Sequence, residues 1–316
     1  MTSMLAAVLV AVPAAPAIAE DGPPLTTPVA ELRQAVWCDG SVTPSAGREA
    51  ALLVHGTGGD PHGYWGWNYE RALPKAGFGV CTVALPDRAI GDPVISAEYV
   101  VYAARFAYQQ SGRKIAMIGH SQGGTLVAWA AKFWPDVAAH AEDLVSLAGD
   151  MNGIALGNAV CALSSCAIAA WRAAVGSHFM HALQNAPLPQ TSPVTSIYTQ
   201  TDEVVFPQPA ASHLSGAANI PVQAICPGRL ADHLSLVPDA VGYALVLDAL
   251  THPGAADPAR IGGRFGLCTS LFMPDVDVLT APSALASIVG LAEVFTVAPK
   301  VNAEPPLPAY AAPYGG

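Results

Sequence analysis

Residues 114–131, KIAMIGHSQGGTLVAWAA, constrain the fold more than any other stretch of the chain. An apolar run climbs to Ile118, breaks at Gly119-His120-Ser121-Gln122-Gly123-Gly124, and resumes at helical spacing. A short, continuously apolar run suits a strand buried on both faces, and the longer run after it suits a helix. A serine therefore stands at a strand-to-helix junction, flanked by glycines. In open parallel sheets, active groups collect at the carboxyl ends of the strands, which is where this junction would lie.

The rest of the chain repeats the alternation. Short apolar runs at 51–56, 77–85, 143–149, 194–200 and 220–226 read as further strands. Residues 93–112, 123–133, 240–251 and 282–295 read as helices, the second halted by Pro135. Strands alternating with helices imply an α/β fold, a mostly parallel central sheet covered by helices on both faces. The Ala-rich interval 151–193 interrupts the pattern and is expected to lie over the top of the sheet as a cap or lid. It includes an uncharged run from Met151 to Trp171, but Asn, Gly and Ser throughout that run argue against a membrane helix. The Pro-rich tail, 298–316, is expected to wrap the surface.

The chain carries a formal charge of −10 and has no Lys/Arg run, which argues against a nucleic-acid partner. With 52% hydrophobic and 12% charged residues it can bury a sizeable core. An apolar stretch from Met4 ends in Ala17-Ile18-Ala19, a small-x-small pattern that reads as a secretory signal peptide over 1–19. The expected mature unit is one domain, 20–316, secreted, monomeric and without a transmembrane anchor. Six cysteines, an even number, suit disulfides in an exported chain. No C-x-x-C pair supports a metal or redox site, and no metal or organic cofactor is expected.

A serine is a weak nucleophile unless it is exposed, paired with a base and close to an anion site. The Gly-His-Ser-Gln-Gly sequence fits the G-x-S-x-G turn that meets these needs. The N–H of Gln122, at the helix N-terminus, would face the developing oxyanion. A second donor is expected from HGTGGDPHGYWGW, where the N–H of Thr57 is the natural choice. Tyr64, Trp65 and Trp67 in the same loop are read as packing residues. The chemistry then requires an acid after a later strand and a histidine beyond it. Asp202 and His233 stand in those places, Asp202 being favoured over Asp150 and His233 over His55, His120, His213 and His252. The neighbouring Glu203 is expected to point elsewhere.

With these residues assembled, the chain resembles the Candida antarctica lipase B-like secreted α/β-hydrolases. The likeness rests on LLVHGTG, SQGGTLVAW, TSIYTQTDEVVFPQ, VQAIC, the Asp232-His233 pair and the tail APKVNAEPPLPAYAAPY. It implies the α/β-hydrolase fold, a Ser121–His233–Asp202 triad and an oxyanion hole at Thr57 and Gln122. It also implies that Asp150, Val204, Val205, Leu291 and Phe295 line the substrate site, and that Cys38–Cys81 and Cys226–Cys268 are bridged. Two departures matter. The family's namesake has a tryptophan immediately before the nucleophile, where this chain has His120, so its alcohol selectivity does not transfer. The family's C-terminal disulfide is absent, because Ala303 stands where its first cysteine would be. Cys161 and Cys166 fall instead in the covering segment, as either a small local bridge or two free thiols.

These readings converge on two-step acyl transfer to water from lipidic or small esters, with an oil–water interface as a further partner. Activity should rise with pH as His233 loses its proton. A polyester or cutin-type esterase is the alternative on the same machinery. A non-catalytic protein that holds apolar ligands under the cap is the alternative from another class.

Overall fold

The structure is a computed structural model that describes residues 22–162, 165–281, 292–294 and 296–316. The expected signal peptide, Leu291 and Phe295 lie outside the described residues, as does most of the expected helix 282–295. Nine strands occur among the described residues: β1 Val36–Cys38, β2 Ala50–Val54, β3 Gly79–Val83, β4 Ile115–His120, β5 Ala141–Leu147, β6 Cys166–Ala167, β7 Val194–Tyr198, β8 Ala218–Pro221 and β9 Lys300–Val301. Seven form one sheet in the order β1-β3-β2-β4-β5-β7-β8. Every pairing in it is parallel except that of β1 with β3. Consecutive residues of a strand face opposite sides. In β4, Ile115 and Met117 join one core while Ala116 and Ile118 join the other. The continuously apolar strands follow from a sheet that is covered twice.

The helices Pro93–Ser111 and Gln122–Phe133 pack in the first core, and Tyr69–Ala76 and Ala240–Thr251 in the second. Their ends are written locally. Asp92 caps Pro93–Ser111 by accepting from the N–H of Val94, and Gly112 ends it at φ 64°. Asp239 likewise accepts from Val241 and Gly242 at the start of Ala240–Thr251.

Most expected strands shift by one or two residues at their ends, β8 shifts by more, and β1, β6 and β9 lay outside the expectation. The strand expected over 220–226 is β8, which begins earlier, at Ala218, and ends at Pro221. The ring of Pro221 removes a ladder donor, and Val222–Ala224 turns as a short 3-10 helix. β1 was not expected at all. It is a three-residue edge strand whose Cys38 lies opposite Cys81 and is bonded to it.

Between β5 and β7 the covering segment folds as the helices Ala155–Cys161, Ile168–Ala173 and His178–Asn185. The C-terminal tail holds it in place. β9 pairs antiparallel with β6, and Trp171 donates to the carbonyl of Val301 at 3.1 Å. The buried Arg172 bonds Glu304, Asp92 and the carbonyl of Pro306. Glu304 also accepts from the N–H groups of His178 and Phe179, at the start of the third helix. Cys161–Cys166 and Cys226–Cys268 are bonded, so all six cysteines are paired. No helix among the described residues is long and apolar enough to cross a membrane.

Candidate active site

Ser121 sits where β4 ends, at φ 56° and ψ −134°, a conformation that side-chain-bearing residues rarely adopt. Its N–H donates to the carbonyl of Leu147 at 2.8 Å, which ties the turn to β5. The surrounding glycines are required by contact. A Cβ on Gly123 would lie 2.3 Å from the carbonyl oxygen of Val54, and one on Gly119 would lie 2.2 Å from that of Gly123. Strand and helix can meet at this angle only because both side chains are missing.

The Oγ of Ser121 lies 3.0 Å from Nε2 of His233, and Nδ1 of His233 lies 3.0 Å from Oδ2 of Asp202. A carboxylate accepts, so Nδ1 carries the proton and Nε2 is free to accept from the serine hydroxyl. The other oxygen of Asp202 accepts from the N–H groups of Val204 and Val205, at 3.0 and 2.7 Å. Asp150 makes no such contact with His233. Its Oδ1 accepts instead from the hydroxyl of Thr125, and burial pushes its carboxyl above the ordinary value. His213 is exposed, and His252 lies against Asp248.

The main chain of His233 is held from both sides. Its N–H donates to Glu203 at 3.0 Å, and its carbonyl meets Nε2 of His120 at 2.9 Å. His120 is fully buried, and that burial, reinforced by His233 nearby, pushes its pKa well below the histidine norm. A neutral ring has one N–H. The carbonyl of His233 can only accept, so the proton is on Nε2 and Nδ1 accepts from the hydroxyl of Tyr64 at 2.5 Å. The sequence points to Tyr64 only as a packing residue, to His120 only as the residue before the nucleophile, and to no role for Glu203. The contacts of Tyr64 and His120 span 56 and 113 positions, and no spacing rule announces them.

Neither the N–H of Thr57 nor that of Gln122 meets an acceptor among the described residues. Thr57, Ser121 and Gln122 share one crevice with Asp150, Val204 and Val205. Leu156, Ala169, Ala173 and Val294 line it as well, and it is partly open to solvent. The arrangement can deliver an alkoxide to a carbonyl, offer two N–H donors to the resulting oxyanion, and bury an apolar group beside it.

Comparison with known proteins agrees with this geometry. The chain is 30% identical over 301 residues to Lipase B of Pseudozyma antarctica, an alignment covering 92% of this chain and 87% of that protein. The crystal structure of Aspergillus fumigatus lipase B superposes with a TM-score of 0.83 at 25% identity, covering 93% of this chain and 74% of that one. The mature form of the Bacillus licheniformis lipase BlEst2 shares the fold at a TM-score of 0.51 and 17% identity, over 66% of this chain and 93% of its own. No family model matches the chain.

Proposed function

Because the chain belongs to the lipase B family of α/β-hydrolases and is a carboxylic ester hydrolase, we propose that it is a secreted enzyme that cleaves carboxylic esters of lipids through a Ser121–His233–Asp202 triad. The observation that carries this reading is the unbroken hydrogen-bonded line from Ser121 to Asp202, beside two unused N–H donors at the mouth of an apolar crevice.

In the first step, Oγ of Ser121 attacks the ester carbonyl as its proton passes to Nε2 of His233. Asp202 holds the Nδ1 proton and stabilises the imidazolium. The N–H groups of Thr57 and Gln122 receive the oxyanion, each contributing about 3–4 kcal/mol in comparable sites. His233 then gives its proton to the departing alcohol oxygen, which leaves an acyl group on Ser121. Water repeats the sequence, losing its proton to His233, and frees the acid and the serine. The acyl group lies along Val204, Val205 and the alanines of the covering segment, next to Asp150.

Export is supported by three disulfides and by the apolar stretch ending in Ala17-Ile18-Ala19. The test is hydrolysis of p-nitrophenyl esters from acetate to palmitate by the wild type and by Ser121→Ala. The substitution should lower kcat by at least about a thousandfold at unchanged folding. A Ser121→Ala protein that keeps its rate removes the serine mechanism. A folded wild type that turns over none of the esters favours a ligand-binding role.

A further inference from the structure

The oxyanion donor expected at Thr57 lies on a loop whose peptide planes are each pinned. The carbonyl of Gly56, in the same plane as the N–H of Thr57, accepts from Nδ1 of His55 at 2.8 Å and from the N–H of Gly59 at 3.2 Å. His55 is buried, and Nε2 of its ring accepts from the N–H of Leu85, so its proton is on Nδ1. The next two planes are both held by one residue. The N–H of Gly58 donates to the carbonyl of Arg88 at 2.7 Å. The carbonyl of Gly58 accepts from Nη2 and Nε of Arg88, at 2.8 and 3.1 Å.

Arg88 reaches this position through an unusual backbone. Asp87, Arg88 and Ala89 have φ of 48°, 57° and 61°, three successive side-chain-bearing residues in the left-handed region. Such residues occur there singly, and as a run they are disfavoured. Strain of this kind persists where the surroundings over-determine it, and it gathers at functional sites. Here the turn aims both the carbonyl and the guanidinium of one residue at Gly58. The same guanidinium meets Glu293 at 3.3 Å, beside Val294 of the crevice wall.

We infer that Arg88 is a positioning residue for the oxyanion hole, and that its left-handed turn is kept because it fixes the loop bearing the N–H of Thr57. The inference rests on the serine-hydrolase reading above. Arg88 does not line the crevice. It acts by holding the peptide planes that follow Thr57, so that the donor needs no reorientation when the oxyanion forms.

The experiment compares kcat, KM and Tm for wild type, Arg88→Gly, Arg88→Lys, Glu293→Gln and Ser121→Ala on p-nitrophenyl butyrate. Glycine is at ease at φ 57°, so Arg88→Gly relieves the turn while releasing the carbonyl of Gly58. We expect kcat to fall about tenfold or more with KM within about twofold and Tm unchanged or raised. Arg88→Lys, with a single ammonium in place of the fork, should fall between. Glu293→Gln keeps both bonds to Gly58 and should stay within about twofold of wild type. A wild-type kcat in Arg88→Gly overturns the inference, whatever its Tm. So does a loss of kcat that only follows a loss of Tm in both Arg88 variants, for then the arginine holds the fold and not the donor. A rate retained in Ser121→Ala would instead overturn the underlying mechanism, and is read separately.

Discussion

Replacing Tyr64 by phenylalanine removes one oxygen from the centre of the site. The hydroxyl donates to Nδ1 of His120, which is fully buried and, being neutral, has no other use for that nitrogen. Without it, His120 cannot simply move its proton to Nδ1, because Nε2 must still donate to the carbonyl of His233. Nδ1 is left as a buried acceptor without a partner, which costs about 1–3 kcal/mol. For 316 residues unfolding with about 2.1 cal/mol/K each, that corresponds to a fall in Tm of roughly 2–5 °C. A matched control lies five positions on. The hydroxyl of Tyr69 is buried and meets no partner among the described residues, so Tyr69→Phe makes the same chemical change where no hydrogen bond is lost. Its effect should be neutral or stabilising. Urea unfolding of both variants measures the difference at constant m, and ester hydrolysis reports whether His233 has shifted. Tyr64→Phe should lose both stability and kcat, and Tyr69→Phe neither. If the two variants lose stability equally, packing and not the Tyr64–His120 bond is the cause, and the account of how His233 is held fails.

Two further perturbations test other parts of the structure. Gly123→Ala places a Cβ 2.3 Å from the carbonyl oxygen of Val54 and 2.5 Å from that of His55. It should cost about 1–3 kcal/mol or more and abolish most ester hydrolysis, which thermal unfolding and a p-nitrophenyl butyrate assay would check. Glu49, just before β2, has its pKa pushed up to about 8, first by burial and then by Asp143 and Glu142. The folded protein therefore holds a proton that the unfolded chain has lost between pH 4.5 and 8. This group's contribution is full below pH 4.5 and is lost as pH rises through 8. Urea midpoints at pH 5 and pH 8.5 should fall with pH more in the wild type than in Glu49→Gln, and equal slopes would contradict the assignment.

Much of this protein was determined by its sequence alone, and the reason is that those features are local. A run such as Ile115–Ile118 is apolar at every position, as a strand buried on both faces requires, and the helix after it carries its own period. The glycines around Ser121 are written where strand and helix must touch, and the chain order of Ser121, Asp202 and His233 follows the order of strands in the sheet. Asp92 and Gly112 punctuate one helix without help from elsewhere. The edge strand β1 escaped notice because three residues are too few to show a period, and their pairing was supplied by β3. The bridge between Cys161 and Cys166 was equally open until the covering segment folded. The support of the site was decided only in three dimensions. His120, Glu203 and Arg88 bond the main chain of His233 and Gly58, Tyr64 bonds the ring of His120, and these partners lie 30 or more positions away along the chain, up to 113 for His120. A hydrogen bond to a distant peptide group depends on rotamer, tautomer and the approach of two segments, none of which hydrophobic period or motif spacing records. The sequence carries the pattern of what is buried and where the chain must turn, and tertiary packing decides which buried polar groups find each other.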